Sequence, residues 1–517
     1  MNPELDFIDP EQDDPLLSPV LDEPKKEKRK INQARFIFLC LLVAFALDFA
    51  AFFDVVPQTR ILELIACRNY FDNHFPDRFP YPQDVPESEC KLTPIQSEVA
   101  FVQGISGSLD AIPGILLLLP YGQLADSPRF GRRTVMLLSL TGVLLGVAWS
   151  LVVCTFYRMI PLRAIWFGGV FAIIGGGSGV TNAMAMTMIS DVVDPAHRST
   201  VYFQISLAGV VAQLLAPSIG SALMLKTGPW FPYYLGAGFF FFCSLLVYLL
   251  PETIPNETST FDFEYTPLSL IEDDDTHTEQ DERRHQPLPP RKSTIKRTLK
   301  SLFLQAWRES KTVFKNRTII LLMSTFFLST LAQRQDDLLL LYTSIRYNTT
   351  ISKAGFIRSI MACVSIVLLL VILPITSNYL TSSLRLPSNK KDLVLAKISI
   401  AFLVLGCFAV GLAPTIALMI CGVIISTLGC GFGGSCLSMI STLVEPRYAA
   451  RVYSLVSLIE MMGAFVGGPL VATLFRLGLN LEQSSWIGLP FYATGTVHSL
   501  VAIAVWFVRL PTSTFED

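Results

Sequence analysis

Three acidic residues lie well away from the ends of long apolar segments of the chain, where an unpaired charge is unfavourable. Asp48, Asp110 and Glu460 each stand in a stretch otherwise built of apolar and small residues. A carboxylate in a lipid-spanning segment costs on the order of a few kcal/mol unless it is paired or faces water. Such a group either makes a hydrogen bond between helices or takes up and releases a proton as its surroundings change. These three residues are therefore candidates for proton coupling, with polar helix packing as the alternative.

Other patterns of reactive side chains are missing from the sequence. It contains no CxxC pair, no HExxH and no Walker-type phosphate loop, and no cluster of His, Cys or Asp stands at catalytic spacing. We therefore expect no enzyme activity, no metal or cofactor site and no ATP-driven pumping. The net charge of −2 and the lack of a basic stripe give no indication of nucleic-acid binding.

The composition predicts an all-α membrane protein. Hydrophobic residues make up 51% of the 517 residues and charged residues only 16%, and the mean hydropathy is +0.49. The apolar runs are continuous rather than alternating, which favours lipid-spanning helices over a barrel. We predict twelve transmembrane helices, at 36–56, 98–120, 134–154, 166–190, 200–223, 232–250, 317–342, 355–377, 393–412, 417–441, 450–474 and 487–509.

A repeated segment indicates that the chain is a duplication. Met188-Ile189-Ser190 and the following Val201-Tyr202 recur 251 positions later, as Met439-Ile440-Ser441 and Val452-Tyr453. Each copy occupies the same place in the series of apolar segments. The repeat predicts two pseudo-symmetric six-helix halves, 36–250 and 317–510, and two like-oriented halves are typical of transporters that rock about a central site.

The segments outside the spans predict the orientation of the chain. Lys and Arg concentrate near span ends on one side, so both termini are expected in the cytosol. Residues 1–35 are polar and predicted to be disordered without a signal peptide, and 511–517 form a short cytosolic tail. The linker 251–316 is acidic and then basic. Within it, 295–314 has the periodicity of an amphipathic helix on the lipid surface, or of a plain lead-in to span seven.

Two features mark the predicted outer loops. Cys67 and Cys90 stand at the two ends of the first outer loop, and a disulfide between them would fasten it in an oxidising compartment. Three N-x-T triplets occur in the chain, and only the one at Asn348 lies in a predicted outer loop. Asn348 is therefore the candidate glycosylation site.

The loop after span two carries the most specific motif. Gly122-Gln123-Leu124-Ala125-Asp126, followed by Gly131-Arg132-Arg133, resembles the G-x-L-A-D-x-x-G-R-R signature of the major facilitator superfamily, a class of twelve-helix secondary transporters. The resemblance covers nearly the whole chain. Segments 62–70 and 339–347 are similar to fungal members loosely akin to the proton-coupled folate transporters. The chain departs from the signature by inserting Ser127-Pro128 before Arg129.

The resemblance implies roles for particular residues. In that family the loop motif latches the two halves in the outward-open state, a role that would fall on Gly122, Asp126, Gly131, Arg132 and Arg133. Spans two and eleven meet along the seam between the halves, so that Asp110 and Glu460 would face the central cavity. Spans four and ten line that cavity, and the candidates for polar solute contacts are Ser178, Thr181 and Asn182, with Arg334 of span seven, unless Arg334 pairs with Asp337.

We therefore expect a secondary active transporter that moves a small organic solute by alternating access, coupled to protons. The alternative is a membrane sensor that keeps the fold and binds its ligand without moving it. The expected partners are the solute, protons and membrane lipids, and the protein is expected to be a monomer. An acidic dileucine pattern at 11–17 adds the vacuolar or endosomal membrane to the plasma membrane as a location, and import and export stay open.

Overall fold

The computed structural model describes residues 33–80, 83, 85–127, 130–193, 195–253, 317–383, 387–443, 446–481 and 483–507. The predictions for residues 1–32, for most of the linker with its 295–314 helix and for the 511–517 tail lie outside this part of the chain. The first half contains α1 (Gln33–His74), α2 (Thr93–Ala125), α3 (Arg132–Thr155), α4 (Gly168–Phe171), α5 (Gly177–Val192), α6 (Pro195–Thr227) and α7 (Trp230–Tyr248).

The second half of the described chain is also helical. It contains α8 (Arg317–Gln333), α9 (Gln335–Arg346), α10 (Ile351–Val367), α11 (Leu373–Ser382), α12 (Ser388–Leu412), α13 (Ile416–Thr427), α14 (Phe432–Leu443), α15 (Pro446–Asn480) and α16 (Leu489–Trp506). A π turn (Leu368–Ile372) joins α10 to α11 just before Pro374. All regular elements in the described ranges are helices, as the apolar runs predicted.

Ten stretches of the described residues are long and apolar enough to cross a membrane as helices. Two further predicted spans are interrupted, and together they bring the arrangement to twelve. The predicted span 166–190 consists of α4 and α5, separated by glycines. The predicted span 317–342 consists of α8 and α9, separated at Arg334.

The glycine run explains the first interruption. Gly175, Gly176 and Gly177 all have positive φ values, of 89°, 84° and 70°, which residues with a Cβ adopt only at a cost. A Cβ at Gly175 would also collide with the backbone of Ser139 on α3. The sequence therefore breaks the helix and brings α5 close to α3 at the same place.

Helix α1 extends further than the sequence predicted. The expected span ended at residue 56, followed by an outer loop to residue 97, but α1 continues through Pro57 to His74 and is 42 residues long. Its extension buries an apolar face that includes Ile61, Leu62 and Ile65. Asp54, which the predicted span placed near the outer surface, consequently lies near the middle of the helix.

The two halves meet along two pairs of helices. Helix α2 packs on α15, and α6 packs on α10. In the first pair the Ser108 hydroxyl donates to the carbonyl of Phe465 at 2.7 Å. In the second pair the Ser218 hydroxyl donates to the side-chain hydroxyl of Ser359 at 2.8 Å. Gly104 and Gly468 let the backbones of α2 and α15 touch, as small residues do between membrane helices.

These contacts lie towards one face of the molecule. We call the face that carries the Cys67–Cys90 disulfide the disulfide side, and the face that carries the loop 122–133 the motif side. On the disulfide side, one buried apolar core contains residues of both halves, such as Val99 and Phe475. On the motif side each half has its own core. Among the described residues, the halves therefore share a core on the disulfide side, which we call the seal, and have separate cores on the motif side.

The close packing of α2 on α15 predicts different effects for substitutions at two glycines of α2. A Cβ at Gly104 would lie 2.7 Å from the carbonyl oxygen of Gly468 and 2.9 Å from the Cβ of Ala472, whereas a Cβ at Gly107 would meet nothing within 4 Å. Gly104→Ala should therefore destabilise the protein by about 1–3 kcal/mol through overpacking. Gly107→Ala should leave stability unchanged or raise it slightly. The measurement is the thermal unfolding midpoint of the purified protein, and equal midpoints for the two variants would contradict the seal.

Candidate functional site

The loop motif folds around the beginning of α3. Gly131 has a φ of 81°, which turns the chain into the helix and exposes its first amide groups. The amides of Arg132 and Arg133 donate to the two carboxylate oxygens of Glu252, at 2.9 and 3.2 Å. A carboxylate in this place satisfies unpaired N–H groups and meets the positive end of the helix. Glu252 follows α7, so this contact joins the end of α7 to the beginning of α3.

The two arginine side chains continue this network. The Arg132 guanidinium forms ion pairs with Asp191 and with Asp126, the latter at 3.4 Å. Arg133 donates to the carbonyl of Leu250 at 3.2 Å, and its guanidinium lies 5.4 Å from the ring centre of Tyr248. Every contact named here lies within the first half. The motif therefore makes no bond to the second half in this conformation, among the residues whose side chains are described.

The sequence reasoning missed two members of the motif site. Glu252 and Asp191 stand at the ends of α7 and α5, both on the motif side, and Asp191 also accepts from the Thr253 hydroxyl at 2.9 Å. Their positions at span ends opposite a basic loop were the available signal. Gly122, by contrast, has open space where a Cβ would lie, so close packing does not require glycine there. Of the inserted Ser127-Pro128 pair, Ser127 bonds to the carbonyl of Leu124 and Pro128 lies outside the described residues.

Asp110 and Glu460 lie on the helices that form the seam. Asp110 is exposed and borders Gly169 of α4. A Cβ added to Gly169 would lie 3.1 Å from the Oδ1 atom of Asp110. Glu460 is half-buried on α15, one turn before Gly463, which packs on α8. The structure gives neither carboxyl a hydrogen-bonding or ion-pairing partner among the described residues. It does not bring the two carboxyls into contact with each other.

Asp48 has a different environment. It is half-buried on α1, and its carboxyl occupies the space beside Gly209 of α6, where a Cβ would collide with it. Both helices belong to the first half. Asp48 therefore packs inside one half rather than on the seam between the two.

Two of the three polar candidates on α5 are exposed. Ser178 and Asn182 are exposed one turn apart, and the neighbouring Gly179 faces α15, since a Cβ there would meet the Met461 side chain at 2.8 Å. Thr181 is different: it is 6% exposed, and its hydroxyl lies 2.7 Å from that of Ser139 on α3. In this conformation the Thr181 hydroxyl therefore already bonds within the first half, and its contact with the solute stays a prediction.

Arg334 lies at the break between α8 and α9. Its guanidinium pairs with Asp337 at 3.3 Å and stays partly exposed, and its stem packs against Gly467 of α15. Arg358 of α10 donates to the carbonyl of Asp336 at 2.8 Å. The break therefore gathers two cations and two carboxylates next to the seam, and the pairing with Asp337 that the spacing suggested is present.

The outer-loop features lie together on the disulfide side. The sulfur atoms of Cys67 and Cys90 are bonded. Asn348 is exposed in the short connection between α9 and α10 and has a φ of 50°, a conformation that asparagine tolerates better than most residues.

Comparison with known proteins places the chain among transporters. The model of the Major Facilitator Superfamily matches residues 94–468. The MFS efflux pump atnC of Emericella nidulans is 32% identical, over 92% of this chain and 88% of its own. The MFS-type transporter aprT of Aspergillus flavus is 30% identical, over 88% and 84%.

Solved structures show the same fold. A D-xylose–proton symporter superposes with a TM-score of 0.57 at 16% identity, over 91% of this chain and 98% of its own. The kinship with folate transporters that two short segments suggested stays a prediction. The chain belongs to the Major Facilitator Superfamily and is a multi-pass membrane transporter of the fungal type.

Proposed function

We propose that the protein exports a small organic solute by alternating access, from the motif side to the disulfide side, in exchange for protons. The observation that carries this proposal is the asymmetry of the cores: both halves share one core on the disulfide side and have separate cores on the motif side. A two-half carrier held in this way is open to the motif side. Export is supported by the relatives named as efflux pumps.

The solute path runs between the halves from the motif side. Ser178 and Asn182 of α5 offer exposed hydrogen-bonding groups near Gly179, which packs against α15. Arg334 offers a charge at the break of the opposite half. Interrupted helices expose backbone polar groups beside a central cavity, where a transported molecule binds. We assign solute binding to these residues, because a small-molecule site has a few polar groups within a mostly apolar lining.

Asp110 and Glu460 are the proposed proton-coupling groups. Both lie on seam helices, and neither has a hydrogen-bonding or ion-pairing partner among the described residues. An unpaired ionised carboxyl in a membrane-spanning segment is unfavourable. The carboxyl is protonated from the disulfide side once the solute has left. Protonation removes the charge and permits that side to close, and the proton is released when the seam opens to the motif side. Asp48 packs inside one half and is the weaker candidate of the three.

We place the motif side and both chain termini in the cytosol, from the distribution of Lys and Arg. The protein works as a monomer in the plasma membrane or in the vacuolar or endosomal membrane. Asn348 carries a glycan if that membrane is reached through the secretory pathway. The alternative of a non-transporting sensor has no support from the relatives, which are named as transporters and efflux pumps. The same names agree with the expectation that the protein is not an enzyme.

Neutralising the seam carboxyls should uncouple transport from protons. We expect Asp110→Asn or Glu460→Gln to abolish solute accumulation driven by an imposed pH step in proteoliposomes, while solute–solute exchange without a pH step persists. The reason is that the neutral variant mimics the protonated group permanently. Asp48→Asn is the matched comparison, because its carboxyl faces α6 within one half, and it should keep the pH-driven accumulation. If both seam variants accumulate solute like the wild type, the proposed coupling is wrong.

A cross-link across the disulfide side should stop transport. The hydroxyl oxygens of Ser218 and Ser359 lie 2.8 Å apart on α6 and α10, so cysteines at both positions are placed to bond when oxidised. The bond should hold the halves closed on this side, which removes flux, and mild reduction should restore it. Ser218→Cys and Ser359→Cys alone, treated in the same way, are the controls. Full flux through cross-linked protein would rule out alternating access.

A further inference from the structure

A buried ionic cluster joins the two halves on the disulfide side. The Lys91 ammonium is 11% exposed and lies 2.6 Å from Glu63 and 3.2 Å from Glu87, both in the first half. Its third contact is the hydroxyl of Ser344 on α9 of the second half, at 2.5 Å. Lysine has three donors, and here all three are used.

A second bond crosses between the halves beside the first. The carboxylate of Glu87 accepts the backbone N–H of Ile351 at 2.8 Å. Ile351 is the first residue of α10, where the amide has no partner inside the helix and the helix end is positive. The Ser344 hydroxyl itself donates to the carbonyl of Thr349 at 2.6 Å. The two crossing bonds therefore end on the last turn of α9 and on the first residue of α10, on either side of the short connection between these helices.

The charges of the cluster balance. Arg60 pairs with Glu63 at 2.6 Å and with Glu87 at 3.3 Å, which gives two cations and two carboxylates. Glu63 is completely buried and also accepts from the Gln96 amide. Buried charges are tolerated when they are paired and hydrogen-bonded, and removing one partner leaves the other uncompensated. The cluster is therefore stable as a whole and sensitive to the loss of any member.

The disulfide fixes the part of the cluster that reaches across. Glu87 begins the 3₁₀ turn Glu87–Cys90, and Lys91 follows it. Cys90 is bonded to Cys67 of α1, which lies one helical turn after Glu63. The turn is thereby attached to the same helix that supplies Arg60 and Glu63. Without the bond, the 3₁₀ turn would keep only its non-covalent contacts to α1.

We propose that Lys91 and Glu87, held by the Cys67–Cys90 disulfide, form a latch that keeps the disulfide side closed while the carrier waits for solute at the motif side. The proposal rests on alternating access, since the two crossing bonds must break when the carrier opens to the disulfide side. The latch sets the equilibrium between the conformation open to the motif side and the one open to the disulfide side. It thereby sets the rate at which a carrier without solute opens to the disulfide side. A hydrogen bond to a charged group is strong enough to shift such a balance about tenfold.

The test measures how often the seal opens. Ser359 is 6% exposed inside the seal, so a cysteine placed there should react with a membrane-impermeant maleimide only when the disulfide side opens. The background carries serine in place of the exposed free cysteines Cys363, Cys421 and Cys430. In nanodiscs, Lys91→Met should raise the labelling rate of Ser359→Cys about tenfold. Ser344→Ala, which removes only the acceptor in the second half, should raise it less.

Two further variants separate a latch from other effects. Arg163→Gln breaks a pair with Glu98, at 2.8 and 3.0 Å, that lies on the same face but within the first half, and it should leave the labelling rate unchanged. The double variant Glu63→Gln with Lys91→Met restores the charge balance but not the crossing bond, and it should stay fast. Replacing Cys67 and Cys90 by serine should also accelerate labelling.

The outcomes are distinguishable from those of the proposed function. If the Ser218–Ser359 cross-link stops flux while Lys91→Met and Ser344→Ala label at the parent rate, alternating access holds and the latch is refuted. A return of the double variant to the parent rate also refutes the latch, because buried charge alone would then explain the single variant. If the cross-linked carrier transports freely, the underlying function fails first.

Discussion

The close contact between α2 and α15 at Gly104 and Gly468 is the constraint on which the rest of the structure depends. Two membrane helices can approach this closely only where neither has a side chain, and the contact lies on the disulfide side of the seam. It draws the two halves together there, whereas on the motif side each half keeps its own core. Asp110 and Glu460 lie on the same two helices, α2 and α15.

Two charged networks, around the loop motif and around Lys91, differ in whether they cross between the halves. On the motif side, among the residues whose side chains are described, Arg132 and Arg133 bond to Asp126, Asp191, Glu252 and other groups of the first half. On the closed side, Lys91 and Glu87 bond across to the second half. A carrier that alternates needs polar groups that are satisfied in both conformations, because a buried group without a partner is costly. The motif site shows how that is achieved on an open face: each arginine has partners that move with it.

Much of the architecture was accessible from the sequence, because continuous apolar runs and a repeated segment are strong signals. The family followed from the loop 122–133. The interruptions were less accessible: the glycines at 175–177 were visible, but glycines between membrane helices are more often packing surfaces than breaks. The extension of α1 to His74 was missed because Arg60 and Glu63 made the segment look like a loop. Their charges are instead neutralised inside a cluster that includes Lys91.

The candidate site was predictable at the level of helices and less so at the level of side chains. Asp110 and Glu460 lie on the two helices that form the seam, and Ser178 and Asn182 are exposed on α5. Thr181 is buried instead, because a side chain one position away on a helix turns by about 100°, and its hydroxyl meets α3. Glu252 and Asp191 needed the fold, since they come from span ends far apart in sequence.

The central claim is that the two faces open in alternation, and paired distance measurements test it most directly. Spin labels at Met159 and Leu481 report the disulfide side, and labels at Phe130 and Lys390 report the motif side; all four positions are exposed. Double electron–electron resonance in nanodiscs, in mildly acidic and in mildly alkaline buffer, gives the distance within each pair of labels. The account predicts that one distance shortens when the other lengthens. Two distances that change together, or a change at one face alone, would contradict it.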